Sequence, residues 1–130
     1  MTREYSGIDS SVTKSFLAAE NLTEPNGVFV KLGEGGVSLP AAGGDVVGIA
    51  IISNQDSVKA GERVDVQIKD IGLVVAGGVF AQGALLATNA SGKAVAASST
   101  NYIVGRALGP ATAAGDLVQV QLLNNGVKMA

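Results

Sequence analysis

Apolar and polar residues alternate with a period of two along two stretches of the chain. Arg63 to Lys69 (RVDVQIK) sets Val64, Val66 and Ile68 against Arg63, Asp65, Gln67 and Lys69. Leu117 to Leu122 (LVQVQL) sets Val118, Val120 and Leu122 against Gln119 and Gln121. Such a period puts one set of side chains in a core and the other in water, the signature of a strand in a half-covered sheet. Shorter apolar runs predict further strands at Val28 to Leu32, Val46 to Ile52, Ile71 to Ala76, Ala84 to Thr88, Lys93 to Ala97 and Tyr102 to Leu108. Turn formers punctuate them: Pro25-Asn26-Gly27, Gly33-Glu34-Gly35-Gly36, Gly43-Gly44-Asp45, Gly77-Gly78 and Asn89-Ala90-Ser91-Gly92. Strand, turn and strand at this spacing predict an all-β fold, a small β-barrel or sandwich.

The pattern occurs twice. Asn26-Gly27-Val28-Phe29-Val30 aligns with Gln82-Gly83-Ala84-Leu85-Leu86, and the stretch GEGGVSLPAAGG with NASGKAVAASST. DVVGIAI (45–51) aligns with YIVGRAL (102–108), placing Gly48 on Gly105 and Ala50 on Ala107. AGERVDVQIK then aligns with AGDLVQVQLL, placing Gly61 on Gly115, Glu62 on Asp116 and Gln67 on Gln121. Blocks in one order, with insertions only in the connectors, indicate a duplicated unit. The expectation is two similar halves, about 27–75 and 82–123, related by a pseudo-twofold and sealing a common core within a β domain at 27–130. Residues 1–26 stand outside the repeat as an N-terminal arm with sparse apolar points at Tyr5, Ile8, Val12, Phe16 and Leu17. Val12 to Phe16 alternates as a strand would, while Ser10-Ser11 ahead of an Ala-containing stretch would also cap a short helix.

Composition narrows the chemistry. Of 130 residues none is His, Cys or Trp, so disulfides, thiolate metal sites and the commonest general base are all missing. The net charge of −2 gives no electrostatic case for nucleic acid. No apolar run is long enough to span a membrane, and the polar start MTREYSGIDSS does not read as a signal peptide, so synthesis in the cytoplasm is the expectation. The closest carboxylates, Glu62, Asp65 and Asp70, are interleaved with Lys59, Arg63 and Lys69, which suits mutual screening on a wet strand face better than a catalytic pair. Gly92-Lys93 lacks the first glycine and the final Ser/Thr of a phosphate loop, since positions 87 and 94 are Ala. A carrier domain modified on a hairpin Lys would need one at the join VAGGVF (75–80), which has none. No catalytic residue, cofactor or metal is expected.

With those residues in view, the chain resembles the phage capsid decoration, or cement, proteins. The likeness runs over about residues 27–123: Gly48 to Ala50, Ala60 to Gly78, Gly83 to Lys93, Val104 to Leu108 and Ala114 to Leu123, each low in complexity but in the family's order and spacing. A recombinase label sometimes attached to this family conflicts with the failed phosphate loop. The resemblance implies a small β-barrel, made in the host cytoplasm, that sits on the outer surface of the mature head and bridges major capsid protein subunits against the pressure of packaged DNA. It also implies self-association, with a homotrimer favoured over a homodimer. The longer arm and the Gly33 to Gly44 region depart from the family pattern and leave the mode of attachment open. The expected capsid contacts are Tyr5, Ile8, Phe16 and Leu17, because the strands already spend their apolar face inside; alternatively, Phe16 and Leu17 plug the open end of the barrel. A function of another class, a head-displayed carbohydrate- or receptor-binding module, would need exposed aromatics, and the chain holds only Tyr5, Phe16, Phe29, Phe80 and Tyr102.

Overall fold

The computed structural model describes residues 13–23, 26–51 and 57–129. Among them there is no helix. The strands are β1 (Thr13–Leu17), β2 (Leu22–Thr23), β3 (Val28–Gly33), β4 (Gly36–Ser38), β5 (Gly48–Ile51), β6 (Ser57–Val58), β7 (Arg63–Gln67), β8 (Ile71–Val75), β9 (Leu85–Thr88), β10 (Ala94–Ala96), β11 (Gly105–Ala107) and β12 (Leu117–Leu122). The period-two stretches alternate as expected at most positions: Val64 and Val66 on β7, and Val118, Val120 and Leu122 on β12, are buried, while Arg63, Asp65, Gln119 and Gln121 face water. Gln67, expected in water, is instead buried, its amide satisfied by the Lys69 and Ile71 carbonyls.

The duplication is structural. Of the three antiparallel sheets among the described residues, β2 and β6 make a small two-stranded one, and the two five-stranded sheets have the orders β1-β7-β5-β3-β4 and β8-β12-β11-β9-β10, the same order when strands are matched along the repeat. Registers match as well. Ala50 faces Val66 as Ala107 faces Val120, and Val30 faces Gly48 as Leu86 faces Gly105. The correspondence extends to β1, which lies outside the repeat visible in the sequence: Thr13 faces Gln67 as Ile71 faces Gln121, and Leu17 faces Arg63 as Val75 faces Leu117. Past β1, Ala18 N–H donates to Glu62 C=O; past β8, Ala76 N–H donates to Asp116 C=O, both at 2.8 Å. Sheet membership therefore divides the described chain between Gln67 and Ile71, with β1 in the first unit and β8 in the second.

Two small motifs explain why the echo survives in the sequence. A Cβ on Gly48 would lie 2.1 Å from the Gln67 carbonyl oxygen, and one on Gly105 2.4 Å from Val120 Cγ1, so the central strand of each sheet needs a residue without a side chain. Gly61 and Gly115 sit at φ +88° and +98° in the turns entering β7 and β12, a region favouring glycine. The acidic residue that follows ties each turn: Glu62 Oε1 accepts from Lys59 N–H at 2.9 Å, and Asp116 Oδ2 accepts from Thr112 N–H at 2.9 Å and Ala113 N–H at 3.2 Å. The Thr112 backbone bond, then the Thr112 hydroxyl at 3.1 Å, then Ala113 hold the Asp116 carboxyl below its ordinary pKa. A depressed carboxyl stabilises the fold above its unfolded value, about 3.9, and stops doing so as the pH falls through the folded value. Asp116→Ala is thus expected to lower the urea midpoint at pH 7, with the gap to wild type closing on acidification below about pH 4.

The expected common core is instead two. One cluster, including Leu22, Val28, Val30, Val37, Val64 and Val66, lies within the first unit. The other, including Val74, Leu86, Val104, Val118 and Val120, is built on the second unit and takes in Phe29, Val46 and Ile49 from the first. Each unit also curls over its own apolar face. A parallel bridge joins Ala18 to Val37 in the first, and another joins Ala76 to Ala94 in the second, drawing the sheet edges together at one end without closing a barrel.

The units also meet head to tail, not about a twofold. Phe29 and Ile49 point away from the first core and enter the second, where they are 0% and 1% exposed. Their counterparts across the repeat are half-buried Leu85 and exposed Arg106, whose guanidinium reaches only to Gly83 C=O within its own unit. A twofold would bury both members of each pair. The start of β3 is the wedge: Gly27 C=O accepts from Val75 N–H and Phe29 N–H donates to Gly92 C=O, both at 2.7 Å, so β3 bridges β8 to the β9–β10 turn.

Candidate functional site

Tyr5 and Ile8 lie outside the described residues. Phe16 and Leu17 are neighbours on β1 and alternate across it. Phe16, opposite Val64, packs against the first core, with Lys14 Nζ 5.8 Å from its ring centroid. Leu17, opposite Arg63, is 45% exposed. The strand thus anchors one of the two side chains and presents the other.

The charged residues singled out in the sequence divide between structure and solvent. Asp65 and Arg63 lie on the wet face of β7, Glu62 is a turn ligand, and Asp70 turns the chain at φ +73°. Beside Asp70, buried Gln67 donates from Nε2 to Lys69 C=O at 2.9 Å and Ile71 C=O at 2.6 Å, pinning the passage from one unit to the next. Among the described residues no three of His, Cys, Asp and Glu gather as a metal site would require. The Gly92-Lys93 turn is structural: Asn89 Oδ1 accepts from Ser91 and Lys93 N–H, and Gly92 offers its carbonyl to the β3 wedge.

Two of the concavities formed by the described residues bear on function. One is lined by Lys31, Leu32, Asp45, Val46, Val47 and Asn124, the last donating from Nδ2 to the Val47 and Ile68 carbonyls and so tying the segment after β12 to the first unit. The other lies at the junction of the units, on the outer faces of β8 and β12, with Thr13, Gly27, Ile51, Ile71, Leu73 and Leu117 among its walls. Leu73 and Leu117 are 53% and 63% exposed there. Sequence reading missed this groove because its walls come from strands far apart in the chain. The available signal was Leu117 aligned with Arg63, an apolar residue on a face that the other copy makes charged.

A family model described as phage cement protein matches residues 11–122. The chain belongs to the phage cement protein family. The matched range opens two residues before β1 and closes on the last residue of β12, so it takes in both sheets, β1 included. Family membership gives the cement protein a structural role at the phage head and a virion, capsid-associated location. Its fold is also that of the crystal structure of the head fiber gp8.5 N base in bacteriophage phi29, at 20% identity and a TM-score of 0.64, with 90% of this chain and 98% of that chain covered. Comparison with curated protein sequences gives no match.

Proposed function

We propose that this cement protein binds the outer surface of the mature head and bridges neighbouring major capsid protein subunits, as a homo-oligomer, a trimer in preference to a dimer. The observation that carries the reading is the family match across both sheets. Two units joined head to tail expose unlike outer faces, the first bearing Arg63 and Asp65 and the second Leu73 and Leu117, so one molecule offers a polar contact and, on another side, an apolar one suited to self-association. Residues 1–26 act as an arm whose root is sewn into the first sheet by β1. Phe16 fixes that root, Leu17 extends its exposed side, and Tyr5 and Ile8 ahead of it supply the apolar contacts to the capsid. No catalysis or cofactor enters this reading.

Bridging stabilises a shell through differential affinity. A protein that spans two capsid subunits only at the spacing of the expanded lattice shifts the equilibrium toward that lattice by the difference in binding free energy. Weak single contacts suffice when each oligomer makes several at once. Co-sedimentation of the purified chain with expanded and unexpanded shells tests this. Saturable binding to expanded shells and at least about tenfold weaker binding to unexpanded ones is expected, a difference of about 1.4 kcal/mol. Equal binding to both would remove the stabilising mechanism.

A further inference from the structure

We propose that the groove at the junction of the units is the seat of a second copy of this chain. The inference rests on the homo-oligomeric reading above and names the surface that achieves it. The duplication makes the groove conspicuous. On the outer face of β1 and β7 the first unit places Thr13, Ser15, Arg63 and Asp65; at the matched positions on β8 and β12 the second unit places Ile71, Leu73, Leu117 and Gln119. The same strand pair is dressed for water in one copy of the fold and for contact in the other. Leu73, Leu117 and, across the groove, Ile51 are each more than a third exposed, forming an apolar patch rimmed by Thr13 and Gln119, the composition of an interaction site.

Two observations favour a second copy as the occupant. None of the described residues lining the groove is charged, whereas the chain as a whole is acidic, so copies meeting through these residues avoid the like-charge repulsion that contact elsewhere would bring. The groove is also continuous with the contact already made between the units: a Cβ on Gly27 would lie 3.6 Å from Val75 Cγ2 and 3.7 Å from Leu117 Cδ2, and Gly72 backs onto Ile49. A copy seated here extends that buried junction outward. Because Thr13 lies in the groove wall, it also brings the roots of two arms together, so that capsid contacts made by the arms gain in avidity.

Sedimentation equilibrium on the full-length chain tests the proposal. The decisive variant is Leu73→Ser with Leu117→Arg, which installs at each position the residue the first unit carries there and which the same strand pair therefore accommodates. Leu73→Asp is the second variant, and Ser15→Asp, at the matched position on β1, is the control. Wild type and the control are expected to sediment as the same oligomer, and both groove variants as monomers, their dissociation constants raised roughly 100-fold or more, with circular dichroism spectra unchanged. Folded groove variants that keep the wild-type mass would overturn the assignment while leaving a homo-oligomer in place. A wild type that is monomeric at every concentration overturns both the assignment and the homo-oligomeric reading. A monomeric wild type whose groove variant loses head binding gives the groove to the capsid protein and equally overturns the proposal.

Discussion

Phe29→Ala is expected to cost about 3–5 kcal/mol of folding stability and to lower the thermal midpoint by about 10–20 °C. Phe29 is fully buried, yet it does not belong to the core of its own sheet; it stands with Val74, Leu86 and Val104 in the core of the second unit. Truncation therefore opens a cavity at the junction of the units, where the backbone on either side is fixed by the 2.7 Å bonds from Phe29 N–H to Gly92 and from Val75 N–H to Gly27. A wall held this way relaxes little, which puts the cost at the upper end for a buried phenylalanine. Leu85→Ala is the matched control. Leu85 occupies the same register position in the second sheet but is only half-buried, so its truncation is expected to cost about 1 kcal/mol or less. Urea unfolding of the two variants in parallel decides the arrangement: a head-to-tail docking demands unequal losses, and equal losses would return the molecule to a twofold.

That asymmetry was written in the sequence. Val28-Phe29-Val30 and Gly48-Ile49-Ala50-Ile51 are continuous apolar runs, as strands buried on both faces must be, whereas the matched strand Gly105-Arg106-Ala107 carries a charge on its outer face. Comparing Ile49 with Arg106 identifies the copy whose back is covered. The strands with one wet face were legible for the complementary reason, since β7 and β12 are long enough for alternation to show. β2 and β6 have two residues each and β4 three, too short for any period to appear, and they are placed by tertiary contacts. β1 showed some alternation over Val12 to Phe16, but its place in the repeat was hidden for another reason. TKSFL and IGLVV occupy the same place in the two sheets, but what the place requires is an apolar residue at Phe16 and Val74 and a small one at Ala18 and Ala76, which leaves no identity in the strand to align. The groove inherited that blindness, because the contrast of Leu73 with Ser15 exists only once β1 has been matched to β8.

Removal of residues 1–12 is expected to abolish binding to expanded heads, by 100-fold or more in apparent affinity on the order of two lost apolar anchors per arm, while leaving the fold intact. All twelve described strands lie downstream of the cut, and β1 keeps its full pairing from Thr13–Gln67 to Leu17–Arg63. The thermal midpoint should therefore stay within about 2–3 °C of wild type, the change expected when every pairing among the described strands is kept. The pairing of results matters more than either alone. Lost binding with retained stability assigns capsid contact to the arm, and Tyr5→Ala with Ile8→Ala should then reproduce most of the loss. Retained binding moves the contact onto the sheets, where exposed Leu17 beside Arg63 is the next residue to change. A large loss of stability would show that residues ahead of β1 complete the first core, as Phe16 does from within it, and capsid attachment by the arm would have to be abandoned.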